Sequence, residues 1–95
     1  MQLIAKNISN PKFKLIDVRT VVERNIHYIP NSEHIPLDQI GKQISVFDKD
    51  NTYLIYCRSG KRSLTATDFL KSQGIEAINM EGGIIEWEQI KKEEK

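Results

Sequence analysis

The segment that most constrains the fold is Thr52–Tyr56, with the sequence TYLIY. Its residues are β-branched, aromatic or aliphatic, and the apolar run is almost unbroken. These residue types favour a β-strand. Because a strand that is covered on both faces has no side to present to water, continuous apolarity indicates a central strand. The segment therefore predicts a buried strand in the middle of a sheet, with other elements packed above and below it.

Shorter apolar segments before and after this strand alternate between strand-like and helix-like patterns. Further strands are predicted at Lys14–Val18, Glu33–Ile35 and Ala77–Met80. The spacing of apolar residues predicts helices within Leu3–Ser9, Val21–Asn25, Leu37–Phe47, Leu64–Leu70 and Ile84–Ile90, with Gly74 as the C-terminal cap of the fourth. Alternation of strands and helices favours an α/β fold, with a mostly parallel central sheet and helices on both faces.

The length and the net charge of the chain limit the classes of protein to which it can belong. The 95 residues predict one domain, residues 1–95, with a single core. The net charge of +1 argues against a broad surface for nucleic acid or anionic membrane. No apolar run approaches the ~18 residues of a membrane-spanning helix, and the first residues lack the unbroken apolar stretch of a secretory signal. A cytoplasmic protein is expected.

The one cysteine of the chain, Cys57, stands directly after the predicted central strand. A single cysteine excludes an internal disulfide and any multi-cysteine metal site within this chain. In parallel sheets, ligands bind beyond the carboxyl ends of the strands, where a loop leads into the next helix. The loop that follows the cysteine consists of Arg58, Ser59, Gly60, Lys61, Arg62 and Ser63.

This loop has the composition of an anion-binding segment. Its backbone amides, the following helix N-terminus and its three cations would each stabilise a negative charge. The same groups would lower the pKa of the Cys57 thiol and produce a thiolate nucleophile near neutral pH. A lone cysteine after an apolar strand can also be no more than a small buried hydrophobic residue. The cations around it favour the reactive alternative.

The residues of this chain can be compared with the requirements of three other kinds of functional site. A phosphate-binding P-loop needs a glycine five residues before Gly60, where Ile55 stands. The loop of tyrosine phosphatases and arsenate reductases keeps five residues between cysteine and arginine, whereas four separate Cys57 from Arg62. A metal site is not expected, because His27, His34 and Cys57 have no recognised ligand spacing.

Four ordered elements resemble the single-domain rhodanese family of sulfurtransferases. They are Leu15–Arg19 with Glu23; Ile29–Ser32 with Ile35–Leu37; Tyr56–Ser63, which resembles the six-residue active-site loop; and Gly82-Gly83 with Trp87. The resemblance covers residues 15–87, nearly the whole chain. It implies a rhodanese-like α/β fold and a sulfurtransferase without a cofactor.

The resemblance also implies roles for the loop. Cys57 would take a sulfane sulfur from a small anionic donor such as thiosulfate and carry it as a persulfide. The acceptor would be cyanide, a low-molecular-weight thiol or a cysteine of a partner protein. The amides of residues 58–63 would cradle the persulfide, and Arg58, Lys61 and Arg62 would attract the donor. The alternatives are a non-catalytic rhodanese-like interaction module and, with the short loop against it, a phosphatase or arsenate reductase.

Several polar and aromatic residues outside the loop have predicted structural roles. Arg19 is expected to pair with Glu23 at the strand-to-helix corner, while Asp17 braces nearby backbone. The two histidines, His27 and His34, are expected to be solvent-exposed and to take no part in the chemistry. Trp87 is expected to anchor the last helix in the core, and Gly82-Gly83 to form a tight turn.

Overall fold

A computed structural model of the chain describes residues 10–93. Its sheet has four strands, which are β1 (Phe13–Asp17), β2 (Glu33–His34), β3 (Thr52–Tyr56) and β4 (Glu76–Asn79). Their order is β2-β1-β3-β4, and every neighbouring pair is parallel. The most apolar segment is therefore an internal strand, as its composition predicts. The strand boundaries differ from the predicted ones by at most one residue.

Three α-helices connect or follow the strands in the described residues. They are α1 (Val21–Ile26), α2 (Lys61–Ser72) and α3 (Gly83–Glu93). Helix α2 ends as predicted: Gly74 has a φ of 78°, and the amides of Gly74 and Ile75 donate to the carbonyls of Lys71 and Leu70. The predicted helix at Leu3–Ser9 lies outside the described residues. No helix within residues 10–93 has the length and apolarity needed to cross a membrane.

Alternating side chains of the strands enter two separate apolar clusters. On one face of the sheet, Ile16 and Ile55 pack with Ala66 and Leu70 of α2. On the other face, the cluster contains Leu15, Leu54, Tyr56 and Ile84, with Trp87 of α3 packed against it. Helices thus cover both faces, and Trp87 contributes to the core as expected. This two-sided burial explains why β3 is apolar along its whole length.

The segment between β2 and β3 differs from its prediction. The apolar spacing from Leu37 to Phe47 predicts one α-helix, but the structure has two short 3₁₀-helices, Leu37–Gln39 and Ile44–Val46. Gly41 lies between them and favours a break, because glycine is a poor helix former. Ile40 and Phe47 are still buried in the core. The periodic pattern therefore identifies the buried residues correctly and the helix type wrongly.

The strand register brings polar residues together at one edge of the sheet. Asp17 at the end of β1 pairs with Tyr56 at the end of β3. Asn79 at the end of β4 pairs with Ile55, two residues before Cys57. Because all strands are parallel, these carboxyl ends form one common edge. The loop predicted to carry the chemistry begins there.

Candidate active site

Cys57 lies immediately after β3 and is only 1% exposed. Its sulfur accepts a hydrogen bond from the Gly60 amide at 3.1 Å and one from the Ser63 amide at 3.4 Å. The Ser63 hydroxyl lies 3.4 Å from the same sulfur. Among residues 10–93, no charged side chain hydrogen-bonds to it. The sulfur is therefore surrounded by backbone dipoles and one hydroxyl.

These contacts follow from the way helix α2 begins. Its N-cap is Gly60, which has no side chain to accept a hydrogen bond from the first turn. The orphan amide of Ser63, the third residue of the helix, donates instead to Cys57. The sulfur thus takes the position that a serine or aspartate oxygen has in an ordinary N-cap. This geometry also directs the positive end of the helix dipole at the sulfur.

Gly60 is required by this loop conformation. Its φ of 103° lies in the region that residues with a Cβ rarely adopt. A Cβ at this position would also collide with the carbonyl of Glu81. Glycine therefore allows the chain to turn back so that its amide reaches the sulfur.

The pKa of the Cys57 thiol is lowered by this environment. Burial alone would raise the pKa, because it disfavours the charged thiolate. The Ser63 hydroxyl and the amides of Ser63 and Gly60 favour the thiolate and outweigh the burial. The predicted lowering is thus present in the structure, with amides and a hydroxyl as its main favourable causes.

The three cations of the loop occupy different environments. Arg58 and Lys61 are exposed. Arg62 instead forms a two-pronged ion pair with Glu23 of α1, at 2.7 and 2.9 Å. This pairing, together with hydrogen bonds from Thr20, lowers the pKa of Glu23 to about 2. The expected pairing of Arg19 with Glu23 is therefore wrong: Glu23 joins the cysteine loop to α1 through Arg62.

The true partner of Arg19 is Asp17. The guanidinium donates to the two carboxylate oxygens at 3.0 and 2.9 Å, and the Arg19 amide also donates to Asp17 at 2.9 Å. The bracing of backbone by Asp17 is thus confirmed. The same carboxylate accepts from Arg24 and from the Tyr56 hydroxyl. Burial would raise the pKa of Asp17, but the hydrogen bonds and charge of Arg19 and the Tyr56 hydroxyl outweigh it and lower the pKa.

The two histidines lie in different surroundings. His27 is 45% exposed, as expected, and contacts Glu88 of α3. His34 is half-buried, and its Nε2 lies 2.7 Å from the Arg19 carbonyl, so the prediction that it is solvent-exposed is wrong. A carbonyl oxygen only accepts, hence Nε2 carries the hydrogen. The described residues contain no group of three His, Cys, Asp or Glu side chains placed to hold a metal ion.

The glycine turn before α3 packs directly on the cysteine loop. Gly83 has a φ of 59°, and a Cβ there would overlap the carbonyls of Arg58 and Cys57. The next two amides, of Ile84 and Ile85, donate to those same carbonyls at 3.0 and 3.3 Å. The turn predicted from Gly82-Gly83 is present. Its closeness to the loop gives Gly83 a second reason to be glycine.

Two clefts flank the loop, and each has one loop cation in its wall. A cleft of about 710 Å³ includes Arg62 and the segment that leads from β1 into the start of α1. A smaller one of about 280 Å³ includes Arg58, with Ile26, Ile84 and Ile85 among its apolar lining. Both have room for a small anion beside the cysteine loop.

Asn79 is a site residue that sequence reasoning missed. Its Oδ1 accepts from the Ser63 hydroxyl at 2.5 Å, and its Nδ2 donates to the Gly60 carbonyl at 3.2 Å. It therefore contacts both residues whose amides reach the sulfur. The available signal was its position, since a polar residue at the carboxyl end of a strand beside β3 faces the same edge as Cys57.

The fold and the site together define an α/β protein with a buried cysteine in an amide-lined loop. Residues 1–90 match the family model of the rhodanese-like domain. The chain therefore belongs to the rhodanese-like family.

Individual relatives agree with this membership. The chain is 40% identical over 74 residues to the putative sulfurtransferase YtwF of Bacillus subtilis. The match covers 78% of this chain and 72% of that protein. It is also 40% identical over 74 residues to a sulfurtransferase of Allochromatium vinosum, covering 77% and 69%. The crystal structure of a rhodanese-like domain protein from Staphylococcus aureus superposes with a TM-score of 0.81 at 36% identity, covering 88% and 83%. These similarities support sulfurtransferase activity in general.

Proposed function

We propose that this protein is a sulfurtransferase that carries sulfane sulfur on Cys57 as a persulfide. The proposal is carried by the polar groups around Sγ, which are two backbone amides that donate to it and a hydroxyl 3.4 Å away. Preorganised dipoles of this kind stabilise an anionic sulfur without reorganising during the reaction. They also leave the sulfur available to react, because no charged side chain among the described residues forms a hydrogen bond to it.

The chemistry requires two displacements. In the first, the Cys57 thiolate attacks the outer sulfur of thiosulfate, a new S–S bond forms, and sulfite leaves with the electron pair of the broken S–S bond. In the second, a thiolate or cyanide attacks the terminal sulfur of the persulfide, and the Cys57 thiolate leaves. Neither step needs a general acid, because each leaving group departs as a stable anion.

The loop cations divide into two roles in this proposal. Arg58 and Lys61 are exposed, and their charges attract an anionic donor to the loop. Arg62 is held by Glu23, so its main role is to fix the loop against α1. Its charge still favours an anion at Cys57, because the two groups interact electrostatically.

The acceptor must be another molecule. The chain has one cysteine, so no second thiol of its own can attack the persulfide. A low-molecular-weight thiol or a cysteine of a partner protein would remove the sulfur. The relatives include one named a putative sulfur carrier protein, YrkF of Bacillus subtilis, 32% identical over 80 residues.

The test is sulfur transfer from thiosulfate to cyanide, measured beside hydrolysis of an aryl phosphate. We expect transfer by the wild-type protein, no phosphatase activity, and complete loss of transfer in Cys57→Ser with an unchanged circular dichroism spectrum. Substantial transfer by the folded Cys57→Ser variant would refute the role of Cys57. Phosphate hydrolysis without sulfur transfer would replace the proposal with a phosphatase.

A further inference from the structure

The Ser63 hydroxyl lies between two acceptors but has one hydrogen. It is 2.5 Å from Asn79 Oδ1 and 3.4 Å from Cys57 Sγ. A hydroxyl donates one hydrogen bond at a time. It can therefore serve the amide oxygen or the sulfur, and the two interactions compete.

The orientation of Asn79 settles where the hydrogen lies in the structure. The Gly60 carbonyl is an acceptor only, so the side of the Asn79 amide that faces it must be the NH₂ group. The other side, which faces Ser63, is then the oxygen. Since that oxygen cannot donate, the hydrogen on this short contact belongs to the Ser63 hydroxyl. With its hydrogen on Asn79, the Ser63 hydroxyl can only accept in the 3.4 Å contact with Cys57, so the donor in that arrangement is the neutral thiol.

We propose that Asn79 is a positioning residue that holds the Ser63 hydroxyl hydrogen while Cys57 is a neutral thiol and releases it to the sulfur when the sulfur becomes anionic. The role in sulfur transfer rests on the proposed function. The hydrogen-bond exchange itself rests only on the geometry. Rotation of one hydroxyl is enough for the exchange, because Sγ and Oδ1 already lie around the same oxygen.

The exchange makes Asn79 a restraint on ionisation. Forming the thiolate gains a hydrogen bond from Ser63 but breaks the bond from Ser63 to Asn79. Among the described residues, Ser63 is the one donor to that amide oxygen. Removing Asn79 should therefore favour the thiolate, although Asn79 also supports the loop through Gly60. The charged groups of the loop and of the adjoining elements are Arg58, Lys61 and Arg62 of the loop and α2, Glu23 of α1, and Asp17 with Arg19 at the end of β1. Of these, Arg62 interacts electrostatically with Cys57.

The experiment measures ionisation of Cys57 directly, from the ultraviolet absorbance of the thiolate as a function of pH, with Cys57→Ser as the blank. Asn79→Ala is expected to lower the midpoint by about 0.5 to 1 pH unit, the equivalent of one hydrogen bond. Ser63→Ala is expected to raise it, because the hydroxyl donor is lost. Asn79→Asp is also expected to raise it, since a carboxylate holds the hydroxyl more strongly and repels the thiolate.

The double variant separates positioning from simple loop support. If Asn79 acts through the Ser63 hydroxyl, Asn79→Ala should not lower the midpoint in the Ser63→Ala background. Asn51→Ala is the matched control, since that amide contacts Tyr53 at the opposite end of β3, and its midpoint should equal that of the wild type. A raised midpoint in Asn79→Ala, or an equal lowering with and without Ser63, would overturn the proposal. Sulfur loading is measured separately, so a wild-type protein that never loads sulfur refutes the proposed function and leaves this titration result intact.

Discussion

Two buried groups at adjacent strand ends are stabilised in opposite ways. Asp17 at the end of β1 is fully buried and accepts hydrogen bonds from two arginines and a tyrosine. Cys57 after β3 is equally buried, but its sulfur accepts from two neutral backbone amides. The carboxylate accepts hydrogen bonds mainly from charged side chains. The sulfur accepts them from neutral amides, and the hydroxyl beside it is also in contact with Asn79.

The difference separates a structural site from a chemical one. A buried carboxylate paired with two guanidinium groups is locked in one ionisation state and has no free lone pair for chemistry. Amides stabilise an anion but do not neutralise it, so the sulfur keeps its nucleophilic character. The arginines near β1 therefore hold the scaffold, whereas the role proposed for the loop amides is to stabilise the anionic sulfur.

The largest expected effect is that of removing the scaffold carboxylate. Asp17→Ala would leave the Arg19 guanidinium, which is 2% exposed, without its partner. Loss of one partner of a buried ion pair costs about 3–5 kcal/mol. Chemical denaturation should show this loss in the free energy of unfolding. Asp50→Ala, which removes an exposed carboxylate, is the control and should change stability by less than about 0.5 kcal/mol. A loss below about 1 kcal/mol for Asp17→Ala would mean that the network does not hold the scaffold.

A smaller effect on stability, with a larger effect on chemistry, is expected for Gly83→Ala. The new methyl group would strain a backbone at positive φ and push on the carbonyls of Cys57 and Arg58. We expect a loss of about 1–3 kcal/mol and slower sulfur loading, because the cradle around the sulfur is displaced. Gly41→Ala is the matched control, since the nearest atom to its Cβ is a ring carbon of Phe69 at 4.0 Å. Equal loading rates in the two variants would contradict the packing of α3 on the loop.

The smallest expected effect concerns the ion pair between Glu23 of α1 and Arg62 of α2. The folded-state pKa of Glu23 is about 2, below its ordinary value, so its ion pair with Arg62 adds stability above about pH 4.5. That contribution should be lost as the pH falls from about 4.5 through 2. Because both side chains are partly exposed, it should amount to about 0.5–1 kcal/mol. Wild type and Glu23→Gln should therefore differ in the free energy of unfolding at pH 6 and converge towards pH 2. A constant difference across this range would exclude the ion pair as its cause.

Local patterns predicted most of the scaffold. The strands, both glycine turns and the position of Cys57 depend on residues close together in sequence, and they are correct. The pairing of Arg19 with Glu23 was wrong because spacing gave no information about Arg62, which lies 39 residues after Glu23. Glu23 also accepts hydrogen bonds from the amide and hydroxyl of Thr20, the N-cap residue of α1. The Glu23 side chain is therefore oriented by Thr20 at the start of α1 and by Arg62 of the cysteine loop. The four-residue spacing between Arg19 and Glu23 indicates neither contact.

Asn79 was missed for a related reason. Its two contacts join residues 16 and 19 positions away in the chain, and they exist only because β4 lies beside β3. Sequence reasoning placed it correctly in a strand, but strand order is needed to place it beside the cysteine loop.

The central claim is that Cys57 accepts and holds sulfur, and intact-protein mass spectrometry after exposure to thiosulfate tests it most directly. We expect a gain of one sulfur atom on Cys57, no gain in Cys57→Ser, a monomer on a non-reducing gel, and recovery of the free cysteine after addition of cyanide or a thiol. No gain of sulfur, or prompt conversion of the loaded protein into a Cys57-linked dimer, would contradict it.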